Sequence, residues 1–198
     1  MSTDGVDTSR RRFLTAATSV VGGVGVVAAL VPFVRSMSPS ARAEAAGAPV
    51  EVDISKMQPG EQLTVQWRGK PVWIVRRTKE NVEDLPSNDP KLVDPKSEVP
   101  QQPAYCQNED RSIKPEYLVL VGICTHLGCS PTYRPEMAPA DLGPDWKGGW
   151  FCPCHGSTYD LAGRVFKGVP APKNMVVPPY HFVSDSLILV GVDPKGAA

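Results

Sequence analysis

Two short segments, Cys124-Thr125-His126-Leu127-Gly128-Cys129 and Cys152-Pro153-Cys154-His155-Gly156-Ser157, hold four of the five cysteines and two of the three histidines in the chain. Each offers one thiolate and one imidazole, with a further cysteine left over. Together they supply a two-sulfur, two-nitrogen metal site and one potential disulfide, so a fold for this chain has to set the two segments side by side. A structural zinc site also uses cysteine and histidine, but its usual signature is a pair of C-x2-4-C knuckles. Here the spacings are C-x-H and C-x-x-H, with cysteines interposed. A metal-free pair of disulfides would leave both histidines without a purpose.

The loops C-T-H-L-G-C and C-P-C-H-G-S, followed by Thr158-Tyr159-Asp160, resemble those of the Rieske subunits of ubiquinol-cytochrome c reductase, respiratory complex III. The likeness runs from the amino-terminal anchor to the last strand. The long, proline-rich stretch from Pro131 to Gly149 resembles the proteobacterial form. The resemblance implies one [2Fe-2S] cluster, with Cys124 and Cys152 on one iron, His126 and His155 on the other, and Cys129 joined to Cys154 in a disulfide. Two ferric ions, two sulfides and two thiolates sum to zero formal charge, so this cluster takes up an electron more readily than an all-cysteine one. The resemblance also implies that Ser157 donates a hydrogen bond to a bridging sulfide and Tyr159 one to the Cys124 sulfur, both favouring the reduced, more negative state. Leu127 is implied in docking to a quinol pocket. Pro170, with Pro172 in the loop Gly168-Val169-Pro170-Ala171-Pro172, is implied in shielding the metal. His126 and His155 are the candidate catalytic residues, because an imidazole on ferric iron releases its second proton more readily and regains it on reduction.

The first part of the chain reads as an address. Ser9-Arg10-Arg11-Arg12-Phe13-Leu14 has the form of a twin-arginine export signal, with Arg10 and Arg11 as the pair, over residues 1–12. That route suits a metalloprotein exported already folded. From Phe13 to Val34 no residue is charged, enough for about 33 Å of helix and one bilayer crossing. Ala41-Arg42-Ala43 keeps cleavage open as an alternative. Residues 35–49 are rich in Ala, Ser, Gly and Pro and read as a linker, which the resemblance makes a hinge. A passive spacer or a short helix through Ala41 to Ala46 would fit the same composition.

Residues 50–198 read as one all-β domain of stacked antiparallel sheets, with a small cluster-binding subdomain over about 122–172. Strands are expected over Val50–Ile54, Gln62–Trp67, Val72–Arg76, Tyr117–Ile123, Trp150–Phe151, a bent Tyr159–Phe166, Met175–Val183 and Leu187–Val192. One helix is expected over Thr78–Leu85, capped by Thr78. Many of the twenty-one prolines fall from Pro86 to Pro103 and from Pro131 to Pro144, segments expected to lack regular structure. Cys106 and His181 carry no ligand motif and read as a buried inert thiol and an ordinary histidine.

The zero formal net charge offers no case for nucleic acid. The resemblance implies a subunit of a quinol-cytochrome-c reductase, a translocase, that takes an electron and a proton from ubiquinol and passes the electron to cytochrome c1. Cytochrome b and cytochrome c1 would be its partners in a homodimeric complex, at a bacterial inner membrane with the soluble domain on the periplasmic side. Two other classes remain: an exported Rieske subunit of another oxidoreductase, such as an arsenite oxidase, and a structural zinc protein.

Overall fold

The computed structural model describes residues 7–194 and divides into two units, Met1–Ala45 and Ala46–Ala198. The first unit is dominated by helix α1 (Thr8–Ser36), whose Asp7 cap accepts the N–H groups of Ser9 and Arg10. None of its residues is buried, and it is long and apolar enough to cross a membrane. The hydroxyls of Thr15 and Thr18 donate to the carbonyls of Arg11 and Leu14, so these two polar side chains of the apolar run are satisfied within the helix. The helix starts before the uncharged stretch and carries Arg10, Arg11 and Arg12 in its opening turns. Within the composition-defined linker stands a second, short helix, α2 (Ala41–Gly47).

The second unit contains β1 (Val50–Asp53), β2 (Gln62–Trp67), β3 (Lys70–Arg76), helix α3 (Lys79–Asp84), β4 (Tyr117–Val121), β5 (Thr132–Met137), β6 (Lys147–Phe151), β7 (Thr158–Asp160), β8 (Tyr180–Ser184) and β9 (Leu187–Val190). They form three antiparallel sheets, ordered β1-β9-β8, β2-β3-β4 and β5-β6-β7. Every residue of β4 is buried, as are Val72 to Val75 of β3. Near-continuous apolar runs are what strands covered on both faces require. The β2-β3 turn uses Arg68 and Gly69 at φ 51° and 71°, the left-handed pair of a two-residue hairpin.

Several boundaries differ from the sequence expectation for local reasons. The strand expected over Met175–Val183 begins only at Tyr180, because Pro178 and Pro179 have no N–H to give a ladder. The bent strand expected over Tyr159–Phe166 is reduced to β7; the chain then turns at Asp160, whose side chain accepts the N–H groups of Ala162 and Arg164. β5 forms inside the proline-rich stretch expected to be irregular. It tolerates Pro135 because it is an edge strand whose register shifts between Arg134 and Met137. The expected helix is present, with Thr78 and Asn81 forming a reciprocal capping box.

Tryptophans join the cluster-side sheet to the rest. Trp150 of β6 is fully buried, stacks on Trp73 of β3 with centroids 5.8 Å apart and lies 5.5 Å from the Tyr133 ring. Its indole N–H donates to Gln62. The Trp73 ring lies so close to Gly122 that no Cβ fits there. Three buried arginines fasten the turn after β7. Arg77 donates to the Leu161 carbonyl, Arg111 to those of Ala162, Gly163 and Met175, and Arg164 to Asp160, Asp89 and the carbonyls of Leu85 and Pro95.

Candidate metal centre

The two Cys-His loops are the same turn made twice. In the first, between β4 and β5, the Cys124 N–H donates to the Cys129 carbonyl (2.7 Å) and Gly128 N–H to the Cys124 carbonyl (3.1 Å). In the second, between β6 and β7, the Cys152 N–H donates to the Ser157 carbonyl (2.7 Å) and Gly156 N–H to the Cys152 carbonyl (2.9 Å). Gly128 and Gly156 both take left-handed φ, 84° and 75°, which accounts for the glycine shared by the two motifs. Cys124 thus corresponds to Cys152 and Cys129 to Ser157, with the histidines at offsets of two and three residues.

This duplication sorts the donors. Cys124 and Cys152 have free thiols and are buried. His126 is half-buried and His155 exposed, their rings 4.8 Å apart and nearly perpendicular. Cys129 and Cys154 are joined in a disulfide that ties one loop to the other. The sulfurs of Cys129, Cys152 and Cys154 lie within 4.8 Å of one another, but the disulfide occupies two of them, leaving only Cys152 of that trio as a donor. Two uncommitted thiols inside and two imidazoles outside fit a [2Fe-2S] cluster with mixed ligation, and fit a four-thiolate centre not at all.

The surroundings treat the two thiols differently. Burial raises the Cys124 thiol, but hydrogen bonds from Tyr159, the His126 N–H, Cys152 and Ser157 outweigh it, so the pKa is lowered. Burial and the adjacent Cys124 instead raise that of Cys152. The Tyr159 oxygen accepts the Thr125 N–H (3.0 Å), and its own proton has two acceptors in reach, Cys124 Sγ at 3.2 Å and the Thr125 hydroxyl at 3.1 Å. Burial and then the neighbouring sulfur push the Tyr159 phenol upward, so it stays a neutral donor. The Ser157 oxygen accepts the Ala171 N–H (3.1 Å), and its hydroxyl is one of the donors that favour the Cys124 thiolate.

A third loop closes over the site. It is held to the second loop by that Ser157–Ala171 bond and to the first by Thr125, whose hydroxyl donates to the Lys173 carbonyl (2.6 Å). Pro170 is exposed on it while Ala171 is buried. Leu127, at the tip, is 71% exposed. Cys106 is buried elsewhere against the Tyr180 hydroxyl, and His181 faces the Val192 carbonyl. The sequence motifs include Thr125 and Asp160 but give them no role, and they leave out the three arginines. Thr125, lying between Cys124 and His126, was the most findable of them; the arginines are scattered along the chain and only the fold collects them.

A fold of three antiparallel sheets with paired Cys-His turns and a disulfide between them defines a Rieske-type [2Fe-2S] protein. The family model described as "Rieske [2Fe-2S] domain" matches residues 49–181, and one described as "Ubiquitinol-cytochrome C reductase Fe-S subunit TAT signal" matches residues 1–40. The ubiquinol-cytochrome c reductase iron-sulfur subunit of Allochromatium vinosum is 68% identical over 198 residues, covering 100% of this chain and 95% of that one. The subunit of the same name from Blastochloris viridis is 43% identical over 194 residues, covering 96% and 97%. A chain of a solved structure, "Hyperthermophilic respiratory Complex III", aligns with a TM-score of 0.48 and 29% identity over 87% of this chain and 98% of that one. The chain belongs to the iron-sulfur subunit family of ubiquinol-cytochrome c reductase and carries one Rieske-type [2Fe-2S] cluster.

Proposed function

We propose that Cys124 and Cys152 bind one iron of the cluster and His126 and His155 the other, and that the chain takes one electron and one proton from ubiquinol and delivers the electron to cytochrome c1. The observation that carries this reading is the repeated turn, which faces two free thiols inward and two imidazoles toward solvent. When bound there, the cluster supplies a one-electron couple whose oxidised form is formally neutral.

The chain's own residues do the rest. His155, exposed at the tip, holds or releases a proton at its outward ring nitrogen and accepts a hydrogen bond from a quinol hydroxyl. Leu127 offers an apolar contact for a quinol pocket, and Pro170 with the third loop keeps water from the sulfur side. Tyr159 and Ser157 direct their protons at the sulfur side, Tyr159 to Cys124 Sγ. Cytochrome b and cytochrome c1 are the partners this requires, within a homodimeric complex. The export-signal match and the apolar α1 support a head, residues 50–198, on the periplasmic side of a bacterial inner membrane, with residues 35–49 as its hinge.

Iron and acid-labile sulfide analysis, with electron paramagnetic resonance, tests the ligand set. Alanine at Cys124, His126, Cys152 or His155 is expected to abolish the reduced-cluster signal, and Cys106→Ala to retain it. A full signal in any of the four would remove that residue from the set. Cytochrome b and cytochrome c1 co-purifying from membranes test the assembly.

A further inference from the structure

We propose that Cys152 is a thiol–disulfide exchange site: once its thiol is not held by metal, it attacks the Cys129–Cys154 bridge and converts it into a Cys129–Cys152 bridge. The three sulfurs lie within 4.8 Å of one another, Cys129 bonded to Cys154 and Cys152 free. Attack on a disulfide needs sulfur atoms in near contact, about 3.5 Å, so the movement still required is on the order of 1 Å. No comparable disulfide faces Cys106, which is buried against Tyr180.

The step balances without an oxidant or reductant. The Cys152 thiolate forms a bond to Cys129 Sγ, the Cys129–Cys154 bond breaks, and its electron pair leaves on Cys154, which takes up the proton that Cys152 gave up. Cys154 is the better leaving side because it is exposed and its thiolate is hydrated, whereas Cys129 is half-buried. A bridge from Cys152 to Cys154 would have to close over Pro153 alone, whose fixed φ resists the required bend.

This has a consequence for maturation that rests on Cys152 being a ligand. Metal bound at Cys152 removes the attacking thiol and protects the native bridge. Loss of metal is recorded covalently for as long as the new bridge stands, because a protein bridged through Cys152 has lost a ligand and reloads only once the Cys154 thiol has reversed the exchange. The site therefore has to be filled before the protein meets disulfide-forming conditions, an order that export of the folded, loaded chain provides.

The test uses the full chain in detergent, loaded and then stripped of iron by a chelator under anaerobic, thiol-free conditions, with released sulfide removed by desalting. After incubation at alkaline pH, which favours thiolates, both samples are denatured in N-ethylmaleimide and mapped by non-reducing peptide mass spectrometry. In the loaded protein, label is expected at Cys106, Cys124 and Cys152 with the native bridge intact. In the stripped protein, label is expected to move from Cys152 to Cys154, and a Cys129–Cys152 peptide to appear. In Cys152→Ser no new bridge is expected. Label remaining on Cys152 after stripping, or new bridges that include Cys106 as random unfolding would give, would overturn the proposal. An equal shift in the loaded protein would instead strike Cys152 from the ligand set and overturn the protective role.

Discussion

Tyr159 has one proton to give, and its neighbours decide where it goes. The Thr125 N–H occupies the phenol oxygen as a donor, and of the two acceptors then in reach, the Thr125 hydroxyl and Cys124 Sγ, a charged sulfur holds the stronger bond. A hydrogen bond to a charged acceptor contributes about 1.5–3 kcal/mol, and the part of it gained on reduction appears in the midpoint potential at about 59 mV per 1.4 kcal/mol for one electron. Tyr159→Phe and Ser157→Ala are therefore expected to keep the cluster and lower its potential by some tens of mV each. Redox titration of the two variants decides the matter, and an unshifted or higher midpoint would rule these donors out. Cys106 makes a different prediction. Burial pushes its thiol up from 9.0 to about 11, so an unfolded chain gives up this proton at lower pH than the native one. Between those values the unfolded state binds fewer protons, and stability falls as pH rises, by at most about 1.4 kcal/mol per pH unit. The stabilising share is fully present below pH 9 and gone above the folded value. Denaturation curves from pH 8 to 10.5 should thus fall less steeply for Cys106→Ala than for the parent; identical slopes would show that the thiol titrates normally.

The loops inherit their rigidity from elements that are distant in sequence. Gly122 links β4 to the first loop under the Trp73 ring, and Trp73 in turn stacks on Trp150, the β6 residue paired in register with Tyr159. A methyl group at Gly122 must push the stack that both loops lean on. Overpacking of this kind costs about 1–3 kcal/mol, so Gly122→Ala is expected to lower the melting temperature by several degrees and speed cluster loss on heating. An unchanged thermal trace, with unchanged visible absorption, would refute the coupling. Asp160 and Arg164, both fully buried, form the pair that shapes the turn after β7. Breaking a buried pair from one side costs about 3–5 kcal/mol where the remaining charge is stranded; Arg164 keeps Asp89 after Asp160→Asn, so a loss no larger than the lower end of that range is expected in urea titration. These supports were poorly legible in the sequence. The Cys-His loops could be read directly, since their chemistry is local, and the apolar runs of β3 and β4 announced buried strands. β5 could not, because Pro135 argues against a strand unless its edge position is known. The arginine clamp could not either, since charged residues read as surface until the fold closes over them.

At the scale of the whole chain, the sequence divides by solvent: a helix with no buried residue, α1, and a domain with a continuous core. That division was legible because an uncharged run long enough for a bilayer has few other uses. The helix's true start was not, since the Asp7 cap lies beyond the apolar run on the far side of the arginines. Arg10 and Arg11 therefore occupy the first turns of the same helix that supplies the apolar segment. For an export route that carries folded proteins, this places the recognition element next to the apolar segment, and a head with two buried thiols can be filled before the membrane is crossed and its bridge closed. Lysine at both positions keeps the charge and the helix propensity but not the planar guanidinium fork. Arg10→Lys together with Arg11→Lys is thus expected to leave cluster content and melting temperature unchanged while holding the loaded protein on the cytoplasmic side. Protease protection in spheroplasts, read with the cluster's paramagnetic signal in the same fractions, separates the two effects. A head that stays protected, with its cluster intact, supports recognition of the arginine pair itself; normal exposure at the outer face would show that positive charge alone suffices.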